Sequence, residues 1–140
     1  FQMNIQELQT VVYNHLKLKI VYLNNNGYHS IRQTQNNIFK RSLVGVCDGN
    51  GLSFPDIQKI AEAYGVGYVK IDSVENVEDG YNKMMKIDGP VICEVIVDQM
   101  QNFEPKLSSK VLPDGKIVSP SIDDMFPFLD REEYGADHWK

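Results

Sequence analysis

A chain of 140 residues is long enough for one domain with a substantial core, and 42% hydrophobic against 24% charged residues excludes a disordered tail. Fourteen basic against nineteen acidic residues give a net charge of −5, which argues against nucleic acid as a partner because phosphate neutralisation needs clustered cations. No apolar run reaches the roughly 18 to 20 residues of a membrane span, so we expect no membrane partner. Cys47 and Cys93 match neither zinc nor redox spacing, which together with the composition predicts a reduced, cytoplasmic protein.

The first third of the chain begins with a helical pattern and continues with an extended one. Apolar residues at spacings of three and four predict an amphipathic helix over residues 4–16, which Asn4 can cap. β-Branched and aromatic residues over 19–23 predict a strand that ends in an Asn-rich turn. A long irregular region is expected over residues 39–52.

The clearest helical pattern follows this irregular region. Ser53 is a candidate cap, Pro55 is expected in the first turn, and Gly65 is expected to end the helix. The segment 68–71 then predicts a second strand.

One more helix and one more strand complete the alternating part of the chain. Ser73 can cap a helix over residues 75–86, which an internal Gly80 is expected to weaken. Residues 91–97 predict a strand that is too apolar to face water on both sides.

The order of these elements predicts an α/β fold with an open, mostly parallel sheet and helices on both faces. Such a unit starts with a strand, whereas this chain starts with a helix, so we expect a first strand to be missing just upstream of Phe1. Residues 99–140 hold four of the six prolines and are expected to form a long irregular C-terminal tail. We therefore predict a partial α/β domain over residues 1–98 and a tail of the same domain over 99–140.

The turn after the first strand is the best candidate for chemistry. Open parallel sheets bind ligands at the carboxyl ends of their strands, where Asn24, Asn25, Asn26 and Gly27 are expected. Amide oxygens, a free glycine carbonyl and the amino end of a short following helix suit Mg²⁺ together with a diphosphate. A plain polar turn explains the same residues more simply, so local chemistry leaves both interpretations open.

Blocks of sequence in a fixed order add a family resemblance. They are FQMNIQELQT at 1–10, KIVYLNNNGY at 19–28, LSFPD at 52–56, IAEAYG at 60–65, DGPVICEV at 88–95 and EPKL at 104–107. The chain thereby resembles the C-terminal pyrophosphate-binding domain of thiamine diphosphate enzymes, most closely acetolactate synthase-like members. That family's signature is Gly-Asp-Gly, about two dozen residues and Asn-Asn. Here residues 1–23 precede Asn24, so the chain is expected to be truncated just after a Gly-Asp-Gly-Ser motif.

The resemblance implies which residues hold the cofactor. Asn25 would give a side-chain oxygen to Mg²⁺ and Gly27 its backbone carbonyl. Asn26, Tyr28 and His29 would line the diphosphate or thiazolium side. The family's third metal ligand is the Asp of Gly-Asp-Gly, which this chain lacks, so the site is expected to be incomplete and no catalytic residue is assigned here.

The resemblance also implies the activity of the parent protein, which is decarboxylation of a 2-keto acid followed by carboligation. The Glu that activates the cofactor belongs to another domain in this family, so we expect the isolated chain to bind the cofactor weakly or not at all and to be inactive. The implied partners are a 2-keto acid, bound through the missing domains, and further copies in a homo-oligomer, a dimer or a tetramer. Some relatives carry FAD in a middle domain, and this sequence does not decide whether the parent does.

Three alternatives remain open at this stage. The chain is a non-catalytic structural fragment that self-associates, or the parent has another thiamine diphosphate-dependent decarboxylase or lyase activity. A flavodoxin-like module is disfavoured, because no Ser/Thr-rich phosphate loop follows the first strand.

Charged and sulfur-bearing residues outside the turn have simpler interpretations. Arg32 and Lys40 are expected to be solvated charges, with attraction of an acidic substrate as the alternative. Glu94, in an apolar strand, is expected to pair with a basic group. Cys93 is expected to be a buried thiol. The cationic cluster within residues 106–110 is expected to be a solvated loop, with a position over the cofactor as the alternative.

Overall fold

The computed structural model describes residues 1–39 and 43–137, which form an α/β fold with an extended tail. Its helices are α1 (Glu7–Tyr13), α2 (His29–Thr34), α3 (Ile57–Tyr64), α4 (Val77–Lys86) and α5 (Arg131–Asp137). Its strands are β1 (Lys19–Asn24), β2 (Gly67–Ile71), β3 (Val91–Ile96), β4 (Lys110–Val111) and β5 (Ile117–Val118). None of the helices within the described ranges is long and apolar enough to cross a membrane.

The main sheet is parallel, with β3 in the middle of the order β1-β3-β2. Val91 of β3 is opposite both Lys19 of β1 and Gly67 of β2, so all three strands start at the same level. Val91, Ile92 and Cys93 are at most 1% exposed. This central position confirms the prediction that the strand is too apolar to face water, and it confirms the buried Cys93 thiol.

Helices cover both faces of the sheet, as the sequence predicts. On one face α1 and α3 pack over a core whose buried members are Leu8, Ile57, Ala61, Val66 and Ile92. On the other face Met84 of α4 packs against Val69 and Ile71 of β2 and Val91 and Cys93 of β3. Along β3, Ile92 faces the first core whereas Val91 and Cys93 face the second, because successive side chains of a strand point to opposite faces.

The first helix is shorter than its apolar periodicity predicts. Gln2–Asn4 form a 3₁₀ turn, and α1 begins only at Glu7, with Gln6 in the cap position. Asn4 therefore lies inside the 3₁₀ turn and does not cap the helix, so that prediction is wrong. Gln6 has helical dihedral angles and makes no side-chain cap bond, because the chain enters α1 through the preceding turn without an extended residue.

Helix α3 also begins later than predicted. Its cap is Asp56 rather than Ser53, and the Asp56 carboxylate accepts a hydrogen bond of 3.1 Å from the Lys59 amide. A carboxylate there is well placed to satisfy the unpaired amides of the first turn. The predicted end is confirmed, because Gly65 adopts the left-handed conformation at φ 67°.

Gly80 lies at the contact between α4 and the sheet, where the sequence suggested only a weak point in the helix. A Cβ atom at Gly80 would lie 2.3 Å from Cγ1 and 2.7 Å from Cδ1 of Ile71. The missing side chain lets α4 approach β2 closely, so the glycine serves packing at the expense of helix propensity.

We expect Gly80→Ala to destabilise the fold by about 1 kcal/mol. Alanine gains up to about 1 kcal/mol of helix propensity, but overpacking a core costs about 1–3 kcal/mol. Urea unfolding measures the difference. The control is Gly135→Ala in α5, which adds the same methyl where no described atom outside that helix lies within 4 Å and which we expect to be neutral or stabilising. Equal stability gains in both variants would contradict this account of Gly80.

The tail is largely irregular, as predicted, but it contains short elements of its own. Strands β4 and β5 form an antiparallel pair, and α5 follows. Asp124 joins them, accepting hydrogen bonds from Arg131 at 2.9 Å and from Lys110 at 2.7 Å. These two cations, Arg131 foremost, lower the pKa of Asp124 to about 2. Strands of two residues are too short to show an alternation of apolar and polar residues, so β4 and β5 could not be predicted from the sequence.

Candidate functional site

A cavity of about 560 Å³ opens at the carboxyl ends of β1 and β3. Its wall on the β1 side comes from the β1–α2 loop (residues 25–28) and the start of α2, and its other wall comes from residues that follow β3. The polar and aromatic residues of the lining are Asn25, Tyr28, His29, Ser30, Asp98, Gln101 and Phe103, and Gly27 lies among them. Four of the five residues predicted to bind the cofactor thus line one cavity, while Asn26 does not.

The two atoms predicted to hold the metal have no partner within the described part of the chain. No described residue donates a hydrogen bond to the backbone carbonyl of Gly27, and none bonds the side-chain amide of Asn25. Tyr28 N–H donates to the Val46 carbonyl at 2.8 Å. Since the C=O and N–H of one trans peptide point in opposite directions, this bond turns the Gly27 carbonyl away from Val46.

Gly27 fills a position where no side chain fits. A Cβ atom there would lie 2.2 Å from Nη2 of Arg32 and 2.4 Å from the carbonyl oxygen of Val46. The loop therefore passes directly over both groups. Because neither the backbone oxygen nor a buried guanidinium can withdraw cheaply, only glycine permits this loop conformation.

Arg32 is buried, so the expectation of a solvated charge is wrong. Only 2% of the residue is exposed, and its guanidinium donates to the backbone carbonyls of Asn25 at 3.5 Å, Asn26 at 3.1 Å and Gln99. These bonds face its side chain toward the loop and away from solvent, while attraction of an acidic substrate by its charge stays a prediction. Lys40 lies outside the described residues.

Asn26 contributes to the internal order of the loop. It adopts a left-handed φ of 49°, and its N–H donates to Oδ1 of Asn24 at 2.9 Å. The Nδ2 of Asn24 in turn donates to Oε1 of Glu94 at 2.7 Å. The Asn24 side chain thus links the loop to the middle strand of the sheet.

Glu94 is 8% exposed and has no basic partner among the described residues, so the expected ion pair is wrong. Its two carboxylate oxygens accept hydrogen bonds from Asn24 and from the Tyr68 hydroxyl of β2 instead. Burial, together with the hydrogen bond and charge of Glu94, raises the pKa of Tyr68 well above its usual range. Burial and the same carboxylate also raise the pKa of Tyr22 in β1.

His29 has the least satisfied side chain in the cavity wall. The residue is 5% exposed, and neither ring nitrogen has a hydrogen-bond partner within the described residues. Its ring packs edge-to-face against Phe103 with centroids 5.0 Å apart. A buried imidazole without partners is costly, and a polar ligand in the cavity would offset that cost.

A metal at this site would depend on amide and carbonyl oxygens rather than on a carboxylate cluster. Residues 1–39 and 43–137 contain no group of three His, Cys, Asp or Glu that could hold a metal ion. Among the described residues, the Asn25 and Gly27 oxygens and the His29 ring nitrogens have no hydrogen-bond partner, and this donor set fits a hard cation with a polar, anionic ligand.

Comparison with known proteins decides the family. Residues 1–95 match the family model described as "Thiamine pyrophosphate enzyme, C-terminal TPP binding domain". The chain belongs to this family. The match includes β1, β2, the whole β1–α2 loop and β3 except its last residue, Ile96, whereas the tail lies beyond it.

Curated proteins similar to this chain include acetolactate synthases. The chain is 33% identical to the acetolactate synthase large subunit of Porphyra purpurea over 110 residues, which is 77% of this chain and 18% of that protein. It is 35% identical to the isozyme 2 large subunit of Escherichia coli K12 over 107 residues, or 75% of this chain and 19% of that protein. It is 30% identical to the acetolactate synthase large subunit of Lactococcus lactis over 118 residues, which is 84% of this chain and 20% of that protein. The chain therefore spans about a fifth of the length of these relatives.

Proposed function

We propose that the chain is the diphosphate- and magnesium-anchoring domain of a thiamine diphosphate-dependent enzyme. In this proposal the side-chain oxygen of Asn25 and the carbonyl of Gly27 bind Mg²⁺, while Asn26, Tyr28 and His29 contact the diphosphate or the thiazolium ring. The observation that carries the proposal is a pair of oxygens, on Asn25 and Gly27, that no described residue bonds and that lie at one cavity edge of a chain belonging to a TPP-binding family.

The remaining residues of the cavity bind and orient the ligand and exclude water. Leu23, Val97 and Phe103 supply apolar surface beside the polar loop. His29 offers a buried ring nitrogen that can donate to, or accept from, a polar atom of the ligand. When bound, thiamine diphosphate supplies a carbanionic carbon that adds to a keto group and an electron sink for decarboxylation.

For the parent protein we propose the activity of its acetolactate synthase relatives, namely decarboxylation of a 2-keto acid followed by carboligation. The parent would act as a cytoplasmic homo-oligomer, a dimer or a tetramer. The isolated chain would be inactive, because the cofactor-activating Glu implied by the family resemblance lies in another domain. Decarboxylation of pyruvate by the isolated chain at enzyme-like rates would contradict this part of the proposal.

A structural fragment that self-associates is the second candidate, and the edge of the sheet favours it. Strand β1 is an edge strand, and its Val21 and Leu23 are 55% and 62% exposed. Exposed apolar edge strands promote pairing with another chain. A concentration-dependent dimer without any cofactor binding would support this candidate over the first.

Thermal unfolding with and without Mg²⁺ and thiamine diphosphate tests the proposed site. A ligand at about ten times its Kd adds about 1.4 kcal/mol of stability, which raises the Tm of a domain of this size by a few degrees. We expect the rise in the wild-type chain, dependent on Mg²⁺, and its loss in Asn25→Ala. The matched control is Asn37→Ala, which changes an asparagine outside this cavity. A rise that persists in Asn25→Ala would exclude the ligand assignment.

A further inference from the structure

We infer that Arg32 positions the β1–α2 loop for an anionic ligand, although Arg32 itself does not line the cavity. The inference rests on the proposed function for the identity of the anion, the diphosphate. Arg32 lies in α2, yet its guanidinium reaches back to the loop that precedes the helix. Its Nη2 occupies the space beside Gly27 where a side chain would be.

The hydrogen bonds of Arg32 fix the direction of two peptide groups in the loop. Nη2 of its guanidinium donates hydrogen bonds to the backbone carbonyls of Asn25 and Asn26. In a trans peptide the N–H points opposite to the C=O, so the N–H groups of Asn26 and Gly27 are turned away from the guanidinium. The Asn26 N–H is used by Asn24, whereas no described residue accepts the Gly27 N–H. Arg32 thereby presents one free backbone donor to a ligand.

The third bond of Arg32 ties the loop to the opposite wall of the cavity. Nη1 donates to the carbonyl of Gln99, which follows β3. The neighbouring buried Gln33 accepts a hydrogen bond of 3.1 Å from Lys106 of the tail. Helix α2 therefore holds the loop, the segment after β3 and the start of the tail in one arrangement.

The charge of Arg32 is not neutralised by any described carboxylate. Arg131, by contrast, forms an ion pair with Asp124 at 2.9 Å. A buried cation that bonds only backbone carbonyls retains a positive field, and an anion bound at the loop would offset its desolvation. The same side chain thus orders the loop and favours an anionic ligand.

The test compares Arg32→Met and Arg32→Lys with the matched control Arg131→Met in the full 140-residue chain. Inorganic pyrophosphate with Mg²⁺ is the probe, and NMR titration follows its binding. Amide hydrogen exchange of Asn26, referenced to Cys93 of β3, reports the order of the loop. We expect Arg32→Met to weaken pyrophosphate binding about tenfold, or 1.4 kcal/mol, and to speed exchange at Asn26 about tenfold.

Arg32→Lys keeps the charge, but its single nitrogen cannot reach three separated carbonyls. We therefore expect fast amide exchange at Asn26 and a smaller loss of affinity for pyrophosphate than in Arg32→Met. If Arg32→Met does not fold, pyrophosphate binding and amide exchange at Asn26 in Arg32→Lys test the inference instead. Unchanged exchange at Asn26 in a folded variant would overturn the inference, even where affinity falls. Failure of the wild-type chain to bind pyrophosphate would overturn the proposed function, and exchange would still show whether Arg32 orders the loop.

Discussion

Gly27→Ala is expected to abolish the magnesium-dependent stabilisation by thiamine diphosphate and to lower the free energy of unfolding by about 1–3 kcal/mol. The added Cβ would lie 2.2 Å from Arg32 Nη2 and 2.4 Å from the Val46 carbonyl oxygen. Neither partner can move without breaking hydrogen bonds that hold the loop. The backbone must shift instead, and the carbonyl proposed to bind Mg²⁺ shifts with it.

Two measurements check this expectation. Urea unfolding gives the change in stability, and the rise in Tm with Mg²⁺ and thiamine diphosphate gives the change in binding. Gly135→Ala adds the same methyl to an open surface and should bind like the wild-type chain. A Gly27→Ala chain with wild-type stability and binding would show that the close passage of the loop over Arg32 and Val46 is not essential.

Glu94→Leu is the second change expected to have a large effect, a loss of about 2–3 kcal/mol of stability. The substitution leaves the Asn24 amide and the Tyr68 hydroxyl without their acceptor in the sheet. Asn24 also accepts the Asn26 N–H, so the loop is expected to loosen together with the core. We expect Glu94→Gln to cost about 1 kcal/mol or less, because an amide keeps an acceptor for one of the two donors.

Tyr68, which is hydrogen-bonded to Glu94, should also make the stability of the fold depend on pH. The folded chain keeps the proton of Tyr68 to higher pH than the unfolded chain, in which tyrosine titrates near 10. The unfolded state therefore loses protons first, and stability should fall as the pH rises above about 10. Tyr68→Phe should flatten this fall. An identical fall in Tyr68→Phe would show that the raised pKa of Tyr68, which burial and then Glu94 cause, does not produce this dependence on pH.

Much of the fold could be predicted because the sequence patterns of its strands and helices are local and span several consecutive residues. Apolar and β-branched runs marked all three strands of the main sheet, and Gly65 marked the end of α3. The starts of the helices were placed wrongly, because Asn4 and Ser53 are good cap residues that the chain does not use. The choice of Asp56 depends on how the chain enters α3, which no spacing of residues reveals.

The site was predictable only in part, for a related reason. The Asn-Gly turn after β1 and the family signature point to residues 25–29, four of which line the cavity. The roles of Arg32 and Glu94 arise from contacts with residues elsewhere in the chain, such as Gln99 and Tyr68. Glu94 did stand out as a charge within an apolar strand, but sequence could not supply its partners. Arg32 gave no signal beyond its position shortly after the turn.

A residue-resolved NMR titration of the wild-type chain with thiamine diphosphate and Mg²⁺ tests whether both bind at the β1–α2 loop. Because weak binding suffices for this measurement, the isolated chain can be used even with a Kd on the order of 1 mM. We predict magnesium-dependent shifts of the backbone amides of Gly27, Tyr28 and His29 and of the Asn25 side-chain amide, with β2 unaffected. No shift at the loop at saturating cofactor, or shifts only on another surface, would contradict the account.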